Sequence, residues 1–474
     1  MSAVPPITTL ATTDVSGVIS VDDFGADPFD DQPDSDAIQT ALGALKSGET
    51  LVFSSETGSD YTGYLIDKTL FIAMNRPKSD ITLTSSDPDK PASLIATDDL
   101  LGFMLHLYSR ARYSGSPGEL DDITLQYLHL DGGSEYRQAV GADGIANGID
   151  DHWGSWVSGE CTVVDDPWCN PGGIAIPGGI DNLDPDQDYQ SAPSVWSTGL
   201  RVDHLTITNV EAGTALGFTA TASSITNTLI DSAGEHTHVD GCAAIDPDGE
   251  LAFWADGITA EGTALIIQGN TVINATDVAI VFFGGRDARI SDNTVISEEG
   301  NNGAFAGIAV HTWGPSDISG LEINGNSITS RSDTDCGGIH VGINIGTHMW
   351  GAGCRTGWYG NVGNPNSCED DPELPGGTLC VLDQPCQIWA HLPPGGSASL
   401  QDNLVEGAQI NYLIEGLDNQ GELIISGNES RSPQETDWQS ATFGCDGKTW
   451  GAFDFVAHHP SLPDWTNKIV HCER

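Results

Sequence analysis

The chain repeats one short alternation of apolar and polar positions. An apolar pair leads to a turn residue and an asparagine, and a small polar and an apolar residue follow. Ile266-Ile267-Gln268-Gly269-Asn270-Thr271-Val272 returns as Ile290-Ser291-Asp292-Asn293-Thr294-Val295, then as Ile323-Asn324-Gly325-Asn326-Ser327-Ile328. Further copies are Leu400-Gln401-Asp402-Asn403-Leu404-Val405 and Ile424-Ile425-Ser426-Gly427-Asn428. Looser ones read Leu205-Thr206-Ile207-Thr208-Asn209-Val210 and Ile225-Thr226-Asn227-Thr228-Leu229-Ile230. The step is 23 residues from Asn270 to Asn293 and 25 from Asn403 to Asn428. Short β-runs at that interval predict a solenoid of stacked coils. Asparagine suits a fixed turn position because it tolerates left-handed backbone and its amide can bond the asparagine one coil away. Parallel crossovers take the right hand, so the predicted fold is all-β, a right-handed parallel β-helix.

The coils do not begin at once. Residues 1–17 read as a leader, and Val18-Ile19-Ser20-Val21 as a strand that turns at Asp22-Asp23-Phe24-Gly25-Ala26. Asp34-Ser35-Asp36-Ala37-Ile38-Gln39-Thr40-Ala41-Leu42 reads as a capped helix, with Asp and Ser ahead of apolar residues at helical spacing. Strands resume at Leu51-Val52-Phe53 and Tyr64-Leu65-Ile66, and a further coil is expected at Ile123–Leu130. The β-helix is expected to occupy 18–430, broken by long insertions at 133–195 and 346–396, with a tail at 431–474. From Asn270 to Ile280, in the next strand column, is 10 residues, whereas from Asn227 to Ile258 is 31. The surplus carries Glu235, His236, His238, Asp240 and Cys242. Excursions beside one column become walls, and walls over a flat sheet make a groove suited to a polymer.

The opening, Asp23-Phe24-Gly25-Ala26 followed by Asp36-Ala37-Ile38-Gln39-Thr40-Ala41, resembles that of the pectate-lyase-type β-helix proteins, phage tailspikes included. The resemblance implies that the helix plugs the open end of the solenoid, covering an apolar cross-section that would otherwise aggregate. It bears on fold rather than chemistry.

Charge narrows the partners. The chain has 68 acidic and 17 basic residues, a formal net of -51. Such a surface repels nucleic acid and anionic membranes, so neither is expected as a partner. The scattered acids suit a surface adapted to high salt or an acidic secreted coat; calcium loading is the alternative reading. The same charge counts against a polyanionic glycan unless metal or local Arg offsets it. No apolar run reaches the roughly 18 residues that span a membrane. Met1-Ser2-Ala3-Val4-Pro5-Pro6 lacks the basic and apolar regions of a signal peptide, so the expectation is a secreted protein whose signal was removed or that leaves by another route. The ten cysteines lie mostly in irregular segments, and none shows zinc-type CxxC spacing. They suit disulfides in an oxidising compartment, with Cys161–Cys169 and Cys445–Cys472 the pairs expected; the remaining connectivity is open.

The chemistry is sought on one strand column. Trp254-Ala255-Asp256-Gly257-Ile258 is followed one coil later by Ala275-Thr276-Asp277-Val278-Ala279-Ile280, then by Ala306-Gly307-Ile308-Ala309-Val310-His311 and Gly337-Gly338-Ile339-His340-Val341. Asp256 and Asp277 therefore fall at nearly the same point of consecutive coils, about 4.8 Å apart along the ladder. Their carboxyls could then lie roughly 5 to 9 Å apart, the range of a glycosidase pair. One would protonate the leaving oxygen, and the other would activate water or attack directly. Like charges so close raise one pKa, which supplies the acid. The other account of each aspartate is a side chain capping a tight turn.

The arrangement resembles the polygalacturonase-type glycoside hydrolases, in which an Asn-Thr-Asp segment precedes an Asp-Asp segment and then a Gly-His-Gly coil. By position, Asp256 matches the first Asp, Asp277 the second, and His311 falls near the His. Thr276 stands where one Asp would be, Gly-His-Gly is missing, and no Arg-Ile-Lys is present. These departures argue against galacturonan and leave the stereochemistry open.

Other residues are candidates for substrate contact. Trp254 and Trp313, the latter with His311, can stack on or line a sugar face, or simply occupy a surface turn. His236 and His238 with Asp240 form either an acid/base or metal cluster or a polar loop tip. Arg286 is either the base of a lyase or a turn arginine paired with Asp287 or Asp292. The leading reading is a secreted glycoside hydrolase acting on a polysaccharide without a cofactor. The alternatives are a polysaccharide lyase or epimerase using Ca2+, and a non-catalytic glycan-binding tailspike or adhesin.

Overall fold

The computed structural model describes residues 17–56, 58–59, 61–72, 78–97, 99–100, 103–107, 120–133, 172–175, 197–210, 213–234, 255–298, 304–310, 316–331, 338–346, 369–370, 378–379, 390–408, 410–415, 417–419, 421–431, 453–458 and 468–473. Three long sheets of 12, 10 and 11 strands run side by side, and each coil gives one strand to each in turn. Ile266–Gln268, Thr271–Ala275 and Val278–Phe282 make one coil. Arg289–Ser291, Thr294–Ser297 and Ala304–Val310 make the next, each pairing in parallel with its predecessor. This is a parallel β-helix, of the right hand that such crossovers take.

Alternation along each strand sends one set of side chains inward, where like stacks on like. Ile225, Ile267, Ile290, Ile323 and Leu400 form one buried column of the first sheet. Ile230, Val272, Val295, Ile328 and Val405 do the same in the second sheet. In the third, Ile258, Ile280, Ile308 and Ile343 align.

Between the first and second sheets runs the recurring asparagine. Asn270, Asn293, Asn326 and Asn403 are buried, and each amide Nδ2 donates to the Oδ1 of the next asparagine at 2.9–3.0 Å, with Asn403 reaching Asn428 at 2.8 Å. The same Nδ2 groups also bond carbonyls of the preceding coil, such as Ile225 and Ile267. The residue before each ladder position has positive φ, and it alternates between types: Asn227, which precedes Thr228 where the ladder has no asparagine, then Gly269, Asp292, Gly325, Asp402 and Gly427. The alternation has a steric cause. A Cβ on Gly325 would lie 2.8 Å from Asp292 Oδ1, and one on Gly427 1.9 Å from Asp402 Oδ1. Each acidic side chain leans over the next coil, where only glycine leaves room.

The N-terminal helix, Ser35–Ala44, buries Ile38, Ala41 and Leu42 against the first coils. Its polar residues satisfy the strand edge beneath. Gln39 accepts from the Phe71 N–H at 2.8 Å and donates to the Phe71 carbonyl at 3.0 Å, imitating a neighbouring strand. Asp34 accepts from the Leu65 N–H, and Ser35 from those of Asp67 and Lys68. The helix is thus the end cap that the opening motif led us to expect, and Gln39 shows why that motif carries a glutamine: an edge amide needs a partner.

Strands also occur inside the two insertions and the tail. Gly172–Ala175 pairs with Phe103–Leu107 and Gly213–Thr219 in the third sheet. Ala390–Leu392 joins Ser316–Asp317 and Leu417–Asn419 in a small fourth sheet. Phe453–His458 and Lys468–Glu473 end the third sheet, paired antiparallel to each other.

Candidate active site on the outer face of the third sheet

The site begins with a break in alternation. In the third sheet the position before each core isoleucine holds Gly257, Ala279, Gly307 and Gly342. A Cβ on Gly257 would approach Val272 Cγ1 to 2.6 Å, one on Gly307 Ile328 Cγ2 to 2.8 Å, and one on Gly342 Val405 Cγ1 to 2.4 Å. These small residues therefore face inward, as do the isoleucines that follow them. The residue preceding each is turned out: Asp256, Val278, Ala306 and Val341. Three of these outward residues, Val278, Ala306 and Val341, pack into an apolar cluster with Val281 and Ala309, separate from the core.

Asp256 is the polar exception in that column, beside Thr214 on the preceding strand. It is only 6% exposed. Its Oδ1 accepts from the Val278 N–H at 3.0 Å and its Oδ2 from the Thr259 hydroxyl at 2.7 Å. Burial pushes its pKa well above the usual carboxylate range, and the charge of Asp277 pushes it further the same way. Asp277 is half-buried and precedes the next strand of the sheet, Val278–Phe282. Its N–H bonds the Ala255 carbonyl at 3.1 Å, so the two aspartates are offset by one residue along the ladder while remaining on adjacent coils.

A buried threonine holds this register. Thr276 Oγ1 accepts from the Ala255 N–H at 3.0 Å, tying the residue before Asp256 to the residue before Asp277. The hydroxyl fits because residue 234 is glycine, where a Cβ would come within 1.7 Å of it. The position at which the polygalacturonase pattern has a second aspartate thus holds a structural hydroxyl.

Further residues of the face escaped the sequence reading. Thr259 and Glu261 lie on the Asp256 strand, pointing outward past the inward pair Gly257 and Ile258. Thr259 also contacts the Thr214 hydroxyl at 2.9 Å. Burial raises Glu261 to a pKa of about 7. Their outward direction was hidden because strict alternation from Asp256 assigns Thr259 to the core.

The remaining candidates do not converge here. Arg286 follows the Val278–Phe282 strand, at the end opposite Asp277, and pairs with Asp317 at 3.4 Å on an exposed surface, not with Asp287 or Asp292. Trp254, His311, Trp313, His236, His238 and Asp240 lie outside the described residues. So do nine of the cysteines, and of Cys472 only the backbone is described. No helix among the described residues is long and apolar enough to cross a membrane.

No known sequence family matches the chain, and no curated protein matches it. Solved structures do. ORF18 of Geobacillus virus E2 is 10% identical over 88% of this chain, with a TM-score of 0.40; this chain spans 63% of that one, less than two thirds. The surface adhesin PfbA of Streptococcus pneumoniae is 12% identical over 91% of this chain and 98% of that one, with a TM-score of 0.40. The hyperthermoactive exopolygalacturonase of Thermotoga maritima is 11% identical over 86% of this chain and 92% of that one, with a TM-score of 0.43. By the order and direction of its own strands, the chain is a right-handed parallel β-helix, the fold of the pectate-lyase-like superfamily that its N-terminal segment resembles.

Proposed function

We propose that this protein is a polysaccharide-degrading glycoside hydrolase whose acid is Asp256 and whose base is Asp277. One observation carries the reading: adjacent coils hold two carboxyl groups in unlike surroundings. Asp256 is buried, which raises its pKa, while Asp277 is partly open to solvent. A hydrolase needs that division of labour. In the reaction Asp256 gives its proton to the glycosidic oxygen as the bond to the anomeric carbon breaks. A water molecule adds to that carbon and passes its proton to Asp277, so one water is consumed per bond. The chemistry needs no cofactor. Arg286, the base of the competing lyase mechanism, is committed to an ion pair at the far end of its strand. The acidic composition and the ten cysteines suit a secreted enzyme.

Reducing-end release from a panel of neutral and acidic polysaccharides tests this. Hydrolysis is expected without ultraviolet-absorbing products, and Asp256→Asn and Asp277→Asn should each lower kcat by about 10²- to 10⁴-fold with the melting temperature retained. Absorbing unsaturated ends would establish a lyase instead. Binding without cleavage would make the protein an adhesin.

A further inference from the structure

On the outer face of the second sheet, a serine and a histidine stand in the relation of a nucleophile to its base. Ser93 lies opposite His129 on consecutive coils, and Thr206–Val210 supplies the next strand. Ser93 Oγ is 3.2 Å from His129 Nδ1, and the other ring nitrogen, Nε2, is 2.9 Å from Thr208 Oγ1. A hydroxyl within reach of an imidazole whose far nitrogen is held by a third group is the arrangement that activates a serine. With the ring proton on Nε2, donated to Thr208, Nδ1 is left to accept from Ser93. Burial lowers the pKa of His129 even though the charges of Asp131 and Glu56 act the other way, so the ring is a neutral base at pH 7. Ser93 and His129 are both partly open to solvent, so a ligand can approach them from the surface.

A donor stands beside the serine. The Ser93 N–H donates to the Tyr61 hydroxyl at 2.8 Å, while the phenol's own proton has only a 3.4 Å contact with the Ser54 carbonyl. So long a bond is readily exchanged for one to an oxyanion forming at Ser93. Burial raises the pKa of Tyr61, which keeps that proton on the phenol.

We propose that Ser93 and His129 form a second catalytic site, one that hydrolyses uncharged acyl esters. Ser93 Oγ bonds to the acyl carbon as its proton passes to His129 Nδ1, and the ester C–O bond breaks with that proton going to the leaving alcohol. Water then adds to the acyl carbon through His129, the bond to Ser93 breaks, and the serine regains its proton as the carboxylic acid departs. One water is consumed per ester. The surroundings choose the substrate. Ile95 stands two residues beyond Ser93 on the same face, paired with Leu65, and both are partly exposed, giving a short acyl chain an apolar seat. The strands Tyr64–Ile66, Ala92–Ala96, Leu128–Asp131 and Thr206–Val210 contain no Lys or Arg, and Asp131 and Glu56 lie near the imidazole, so a phosphate or sulfate ester meets repulsion. The site shares no residue with Asp256 and Asp277 and does not rest on the hydrolase reading.

The test treats the full-length protein with a fluorophosphonate, which captures activated serines, and locates the adduct by peptide mass spectrometry. Turnover of para-nitrophenyl acetate and para-nitrophenyl phosphate is measured beside it. We expect the adduct on Ser93 and cleavage of the acetate but not of the phosphate. Ser93→Ala should abolish both labelling and cleavage, and His129→Gln should slow them by about 10²-fold or more, with Asp256→Asn leaving them unchanged. A fluorophosphonate that leaves Ser93 unlabelled in the unsubstituted protein would overturn the proposal without recourse to any variant. So would acetate cleavage that survives Ser93→Ala, a labelling rate that His129→Gln does not change, or preference for the phosphate ester.

Discussion

Thr259 donates its hydroxyl proton to Oδ2 of Asp256 at 2.7 Å, although three residues of one strand separate them. Residues so spaced in a regular strand face opposite sides and lie about 10 Å apart. Here Gly257 and Ile258 both turn inward, which shortens the path and places the two polar groups on one surface. A hydroxyl has one proton, so the 2.9 Å contact between Thr259 and Thr214 is a bond donated by Thr214. When Asp256 is protonated the order reverses.

Thr259→Val follows directly. The hydroxyl favours the charged carboxylate, so its removal raises the pKa of Asp256 beyond the level set by burial. If Asp256 is the acid, activity is lost as pH rises through its pKa. The alkaline limb of the kcat profile is therefore expected to move to higher pH in Thr259→Val and to stay in place in Thr259→Ser. A limb that does not move would remove Asp256 from the acid role.

Glu261 gives a pH-dependence of stability with a defined sign. Burial lifts its pKa from 4.5 to about 7, so the fold binds its proton more tightly than the unfolded chain does. Its contribution is fully present below the unfolded value and is lost as pH rises through about 7. The melting temperature of the unsubstituted protein should decline between pH 5 and pH 8 in part through this group, and Glu261→Gln should flatten that decline. Identical slopes in the two proteins would place the titration elsewhere.

Much of this architecture was legible because its physics is local. Each repeated asparagine needs its neighbour one coil away, so Asn270 through Asn428 announced both the coil length and the stacking. Gln39 and the apolar positions of its helix likewise marked the cap. The site was less legible, since its geometry depends on a departure from the period. The columns placed Asp256 and Asp277 on adjacent coils, but Thr259 was hidden by the inward turn at Gly257. Strands at Gly172–Ala175 and Phe453–His458 lack the asparagine phrase altogether, so the repeat did not mark them.

The asparagine ladder should be unequal along its length. Asn293 accepts from both the backbone N–H and the amide of Asn270, and its own amide serves Asn326 and the Ile267 carbonyl. Asn293→Leu strands two buried donors of Asn270 at about 1–3 kcal/mol each. Asn428, only half-buried at the last of these coils, receives the same two bonds from Asn403 nearer to solvent. Thermal denaturation should show a clearly larger loss for Asn293→Leu than for Asn428→Leu. Equal losses would mean that the ladder contributes through shape rather than through hydrogen bonding.

The alternation of acidic residues and glycine beside that ladder makes a coupled prediction. Gly325 has a φ of 67°, and its missing Cβ would stand 2.8 Å from Asp292 Oδ1. Gly325→Ala should therefore incur two costs: about 1–2 kcal/mol for a left-handed alanine, and the collision with the aspartate above it. Asp292→Gly removes the second cost and not the first. The double variant is accordingly expected to be more stable than the sum of the single losses, with a coupling of about 0.5–3 kcal/mol. Additive losses would show that Asp292 moves aside freely and that the alternation reflects backbone conformation alone. Asp402 and Gly427 supply the independent repeat, and their closer approach of 1.9 Å should make the coupling there the larger of the two.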